Sequence, residues 1–162
     1  MIRVVLDNGY SFWIDIYFLG VNHEGRGTSL FGEKIAHGRS LDRLNYADAT
    51  RIFASHNKRL PTYDEFRAAA YGVAERTSAD RHPETTGLDA ARTSRFGMMQ
   101  ATGNLWVWGT DGHPDDPRPS LFGGSWLNGS SAGSRCASLG YWAGDSSEFI
   151  GARGASDHLT LA

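Results

Sequence analysis

Cysteine is almost missing from this chain: Cys136 is the only one in 162 residues. That excludes an internal disulfide and any cysteine-rich metal site, and it leaves a fold that does not depend on oxidation. Long apolar runs are missing as well, since none approaches the roughly 20 residues that a membrane-spanning helix needs. The opening residues lack the charged stretch, apolar stretch and small-residue cleavage site of a secretory leader. The expectation is a soluble chain without membrane insertion, cytoplasmic, virion-associated or displayed by a route that the sequence does not reveal. Charge of one sign is lacking too. Sixteen Lys and Arg face eighteen Asp and Glu, a formal net charge of -2, so neither nucleic acid nor an anionic membrane is implied as partner.

Catalytic spacings are equally scarce. The histidines are His23, His37, His56, His82, His113 and His158, and none forms a His-x-x-x-His or His-Glu-x-x-His pattern. Each reads as a surface or satisfied-core histidine. Gly124-Ser125-Trp126 lacks the flanking residues of a nucleophile elbow, and Cys136 has no base nearby in sequence. No enzymatic activity is expected.

What the chain does have is glycine and tryptophan, 20 and 5 respectively. That pairing favours loop-heavy structure in which rings seal a core that short strands cannot. Ile2, Val4 and Leu6 alternate with Arg3 and Val5, and Asp7-Asn8-Gly9 supplies a hairpin turn. In the following strand Phe12, Ile14, Ile16 and Phe18 share one face, with Trp13, Asp15 and Tyr17 on the other. Residues 20–40 read as a long loop. Asn45 caps a helix whose stripe is Ala47, Ala49, Ile52 and Phe53, running to about Ser55. Thr62 and Glu65 form a capping box ahead of a second helix that buries Phe66, Ala69, Ala70 and Val73. Residues 77–94 are polar and aperiodic, a surface loop. The last third consists of short apolar pieces between Gly, Pro, Asp and Ser. The order of elements gives an α+β class and one domain over residues 1–162.

Four segments carry a family resemblance: Lys58-Arg59-Leu60-Pro61-Thr62-Tyr63-Asp64-Glu65-Phe66, Gly103-Asn104-Leu105-Trp106-Val107-Trp108, Gly123-Gly124-Ser125-Trp126 and Ile150-Gly151-Ala152-Arg153. In this order they resemble the formylglycine-generating-enzyme (sulfatase-modifying factor) branch of C-type-lectin-like folds, from about Asn45 onward. The resemblance implies two helices packed on short antiparallel strands, with a loop-rich C-terminal half. Trp106, Trp108, Gly123, Gly124, Trp126, Gly151 and Arg153 are read as scaffold. Trp106 and Trp108 share a strand face, the glycines allow close approach or positive φ, and Arg153 can donate to loop carbonyls. Formylglycine-generating enzymes are expected to bind copper through a thiol pair, which one cysteine cannot assemble. The related sulfoxide synthases take iron on histidines, mostly from a helical domain absent here.

The segment from about 123 to 157 resembles the variable region of proteins diversified by retroelements, in which template adenines are randomised. Leu127, Asn128, Ser131, Cys136, Ser138, Leu139, Gly140, Tyr141, Ala143, Asp145, Phe149, Ala155 and Ser156 all lie within the set reachable from Asn codons. They are the expected ligand contacts. Tyr141, Trp142 and Phe149 suit recognition as rigid anchors, and Ser, Gly and Asn as adaptable hydrogen-bonding groups. Trp142, which adenine replacement in an Asn codon cannot produce, reads equally as anchor or core plug. The resemblance implies a non-catalytic display protein whose variable region contacts a macromolecule, a cell-surface protein foremost. The alternatives are a reduced enzyme of the same superfamily, and a lectin that binds sugar through calcium. Asp111, Asp115 and Asp116 in the loop 111–116 offer hard oxygen ligands suited to calcium, and relatives of this fold often hold calcium structurally.

Overall fold

The computed structural model describes residues 1–40, 43–112, 115 and 118–159. The first hairpin forms because apolar alternation and the turn agree. Strands β1 (Ile2–Val5) and β2 (Ser11–Ile14) pair antiparallel with Val4 opposite Phe12, both fully buried. Gly9 takes φ +87° in the turn, a value that costs glycine nothing. The alternation stops at Ile14. Asp15 turns inward instead of outward and is completely buried, while Ile16 is only half-buried.

The loop between residues 20 and 40 contains one short helix, α1 (His23–Arg26). Helix α2 (Tyr46–Ser55) starts where the Asn45 side chain accepts from the Asp48 amide. In α3 (Tyr63–Ala69) both halves of the capping box are made: Thr62 accepts from the Glu65 amide, and Glu65 accepts from the Thr62 amide.

The C-terminal half folds as a four-stranded sheet in the order β5-β4-β3-β6. Strands β3 (Trp106–Gly109), β4 (Ser120–Phe122) and β5 (Ala137–Ser138) are antiparallel neighbours. Strand β6 (Ile150–Gly151) lies parallel to β3. The last strand, β7 (Ala155–Ser156), leaves this sheet and completes the N-terminal one beside β2.

Strand periodicity splits the core in two. Successive side chains point to opposite faces. Val107 and Phe122 join Phe12, Ile14, Phe66, Ala69 and Ala70 in one cluster. Trp108, Leu121 and Ile150 join Ala49, Ile52, Phe53 and Leu60 in the other, with Trp106 and Tyr141 packed against its edge. The sheet thus carries α3 on one face and α2 on the other.

Two buried polar knots tie the end of the hairpin to the rest of the fold. The Lys58 ammonium donates to Asp15 at 2.8 Å and to the Thr28 hydroxyl at 2.7 Å, while that hydroxyl donates to the second Asp15 oxygen at 2.9 Å. Arg153 is fully buried. Its guanidinium donates to the carbonyls of Asp15, Ile16, Met99 and Gln100 and lies 4.5 Å over the Phe18 ring. Burial pushes the Arg153 guanidinium down to about 9, so it still carries its charge at neutral pH.

Candidate ligand-binding surface

The surface is built on two adjacent glycines with left-handed backbone. Gly123 has φ +92° and Gly124 φ +79°. A Cβ at Gly123 would strike the Phe66 ring, and one at Gly124 would strike Ala132. Both the torsion and the space therefore require glycine. Immediately after them, the Trp126 amide donates to the Asn104 carbonyl at 2.9 Å, which fixes where the chain leaves the sheet.

The expected contact residues fall into three groups by position. Leu127, Ser131 and Gly140 are exposed, Leu127 at 64%. Asn128, Cys136, Ser138, Leu139, Tyr141, Ala143, Asp145 and Phe149 are half-buried. Several of these are already engaged. Asn128 Oδ1 accepts from both the amide and the hydroxyl of Ser125, Tyr141 packs on the edge of the second core, and burial pushes the Cys136 thiol up, away from reactive thiolate.

Ala155 and Ser156 form the third group and correct the sequence reading. Both are buried in β7, opposite Ile14 and Trp13, and the Ala155 backbone also pairs with Arg59. Loop-like composition hid a strand of only two residues. The segment is therefore buried from β6 through β7, and exposure returns only at Asp157.

Trp142 is 56% exposed, so it is not a core plug. A tight turn presents it: its amide donates to Asp145 Oδ2 at 2.8 Å, and the Asp145 amide returns to the Trp142 carbonyl at 3.0 Å. The Arg118 guanidinium sits 5.3 Å over the indole. Trp126 and Phe149 instead pack ring against ring at a tilt of 36°, with centroids 5.0 Å apart.

Much of the support comes from residues that sequence reading passed over. His82 meets the Trp126 ring at 4.5 Å and the His37 ring at 5.0 Å, and its Nε2 bonds the Glu148 carbonyl at 3.0 Å. The Gly38 amide donates to Ser147 at 2.9 Å, and Arg39 pairs with Glu148 at 2.9 Å. Ser78 bonds both Trp126 and Gly129, and Glu75 accepts from the Ser134 amide and hydroxyl. The region read as a plain surface loop thus braces the C-terminal segment. No local pattern could have found this, because each contact joins residues dozens of positions apart.

The acidic loop has a partner within the fold. Asp111 Oδ1 accepts from the Tyr63 amide at 2.9 Å, satisfying one of the unpaired N–H groups that open α3. Asp115 is exposed, and Asp116 lies outside the described residues. Among the described residues no three His, Cys, Asp or Glu side chains gather as a metal set. No described helix is long and apolar enough to cross a membrane.

No family model matches the chain. The tail fiber receptor-binding protein of Bordetella phage BPP-1 is 35% identical to it, across 93% of this chain and 51% of that protein. Among solved structures, the Major Tropism Determinant I1 variant matches with a TM-score of 0.85 at 35% identity, and the M1 variant with 0.84 at 34%. Each match covers 93% of this chain and 51% of the other, so the chain spans about half the length of the relatives it matches. With the hairpin, both helices and the braced C-terminal segment all inside the matched span, the chain is a homologue of the Major Tropism Determinant variable proteins and shares their C-type-lectin-like fold.

Proposed function

We propose that this chain is a non-catalytic, receptor-binding display domain, whose C-terminal segment contacts a macromolecule on a cell surface, foremost a protein. The observation that carries the reading is the exposure of Leu127 and Trp142, 64% and 56%, on backbone held by Gly123, Gly124 and Arg153. Large apolar side chains held out on a rigid frame are the usual mark of a partner site. A relative named for receptor binding in a phage tail fiber supports the same reading.

The variable set on this surface is Leu127, Asn128, Ser131, Cys136, Ser138, Leu139, Gly140, Tyr141, Ala143, Asp145 and Phe149. Retroelement diversification explains the segment best, because a fixed frame lets contacts change without refolding. The domain is one unit over residues 1–162, virion-associated or displayed at a surface. The decisive observation is genomic. A near-identical copy of the coding stretch for residues 123–157, differing at adenines and lying beside a reverse transcriptase, is expected. Copies that differ equally at all bases would sink diversification. Purified chain should also label whole host cells, and a Leu127→Asp and Trp142→Ala double variant should not. Equal labelling by both would remove the binding role from this surface.

A further inference from the structure

Three consecutive carbonyls ahead of β6 are held by three different parts of the fold. The Gly38 amide donates to Ser147 at 2.9 Å, His82 Nε2 bonds the Glu148 carbonyl at 3.0 Å, and the Trp106 amide donates to Phe149 at 2.8 Å. Packing at the first contact is tight, since a Cβ at Gly38 would stand 2.2 Å from the Ser147 nitrogen. On either side of Gly38, His37 brings its ring to 5.0 Å from that of His82, and Arg39 pairs with the Glu148 carboxylate at 2.9 Å. The His82 ring also lies 4.5 Å from Trp126, whose own ring meets Phe149 at 5.0 Å. The two histidines thus stand between two supporting loops and the stretch of the segment that carries Phe149.

The partners decide where the protons sit. A carbonyl only accepts, so His82 donates to Glu148 through Nε2–H and keeps that bond whether its ring is neutral or charged. His37 is different. Its Nδ1 accepts from the Arg39 amide at 3.1 Å, so the neutral ring carries its hydrogen on Nε2 and a further proton can enter only at Nδ1. That proton sets one N–H against another and breaks the bond that orders residues 37–39. Burial and the His82 ring of the loop 77–94 disfavour the charged ring most. The Glu148 carboxylate of the segment favours it, while Lys34 and Arg39 of its own loop disfavour it. Once the loop opens, His37 returns toward an ordinary histidine at about 6.5. The open form therefore binds the proton more readily, and acid drives opening.

We infer that His37 and His82 are positioning residues for the ligand surface. They hold residues 147–149 and Trp126 in place while His37 is neutral, and release them when a proton enters at His37 Nδ1. The biological sense, a grip on the receptor that weakens in acid, rests on the receptor-binding reading, but the clamp can be tested without a receptor. Amide hydrogen exchange by NMR, corrected for the intrinsic rate at each pH, reports the protection of Gly38 and Trp106, with Phe66 and Ala70 of α3 as references. From about pH 7 to about pH 5 the protection of Gly38 and Trp106 should fall more steeply than that of α3, by up to about tenfold for each pH unit in which the open form holds one more proton. His37→Gln, which can accept a hydrogen bond but takes up no proton, should keep the neutral-pH protection and lose the extra fall. His82→Ala should lower the protection at neutral pH and move the Trp126 indole N–H signal, and His82→Gln, which can still donate to Glu148, should restore part of both. The α3 amides report whether each variant is folded, and His37→Asn replaces His37→Gln if the latter is not. A pH dependence at Gly38 that matches α3, or that persists in His37→Gln, would overturn the clamp. On whole host cells, labelling by the parent should fall over the same pH interval and labelling by His37→Gln should not. If the exchange results hold but the two chains label alike at both ends of the interval, the receptor-binding role of this segment fails while the clamp stands.

Discussion

Lys58 and Asp15 form an ion pair of 2.8 Å whose side chains are 1% and 0% exposed. The pair sits where β2 gives way to the coil below it, and Thr28 completes the set of donors and acceptors. Removing one member leaves a charge buried without compensation, which costs about 3–5 kcal/mol. Lys58→Met should therefore lower the urea midpoint steeply. Lys58→Met combined with Asp15→Leu should recover much of the loss, because paired apolar replacements of buried ions are often tolerated. A double variant as unstable as the single one would mean that the knot does more than balance its own charges.

The second core predicts where tryptophan matters most. From sequence, Trp106 and Trp108 seal the core alike. In the structure Trp108 is fully buried, in edge-on contact with Tyr46, while Trp106 is only half-buried at the cluster's rim. Trp108→Ala should cost about 3–5 kcal/mol of unfolding free energy, as large core truncations do. Trp106→Ala should cost clearly less. Equal losses by chemical denaturation would contradict this division of the strand.

These contrasts mark what could be read from sequence. The capping box at Thr62 and Glu65, the Asn45 cap and the first hairpin are local, governed by residues within a few positions of each other, and all three stand as expected. Asp15 departs from the strand alternation because the pairing with β1 ends at Ile14. β7 leaves no mark in the sequence because two residues carry no periodicity. The braces at His82, Glu75 and Arg118 are long-range, and their residue types are ordinary for a polar loop.

Acid should weaken the fold through Glu65. Burial alone would raise its carboxyl, but the bidentate Arg59 guanidinium at 2.7 Å, the Thr62 amide and the Tyr10 hydroxyl outweigh it and hold the group below its ordinary value. Asp157 is lowered as well, chiefly by hydrogen bonding to Arg59. A carboxylate depressed on folding stabilises above its unfolded pKa, about 4.3 for Glu, and loses that contribution as pH falls through the folded value. Urea midpoints should drop steeply below about pH 4. Glu65→Gln should cost about 1–3 kcal/mol at neutral pH and flatten that acid limb.

His37 gives a second, milder window. Burial and then the His82 ring lower it, with Lys34 and Arg39 acting the same way and Glu148 opposing. Its Nδ1 accepts from the Arg39 amide at 3.1 Å, a bond that only the neutral ring can make. His23 is lowered too, by burial and by His56. A base whose folded pKa is depressed favours the fold while neutral. Stability should thus fall as pH drops from about 6.5 toward the folded values. NMR titration should place His37 below an ordinary histidine, and His37→Gln should reduce the slope of stability in that window.

Exposure within the C-terminal segment should separate residues that the sequence grouped together. From sequence alone, substituting Leu139, Gly140 and Tyr141 together is expected to abolish partner binding and leave the melting temperature nearly unchanged. Tyr141, however, packs against the second core, so part of that triple change is a core truncation. Tyr141→Ala should lower stability by about 1–3 kcal/mol, the loss expected for a partly buried large side chain. Leu127→Asp, at a side chain 64% exposed, should stay within about 0.5 kcal/mol of the parent, as surface changes do. Thermal unfolding of the two single variants decides the matter. A stable Tyr141→Ala together with an unstable Leu127→Asp would contradict this contrast between a core-packed and an exposed side chain.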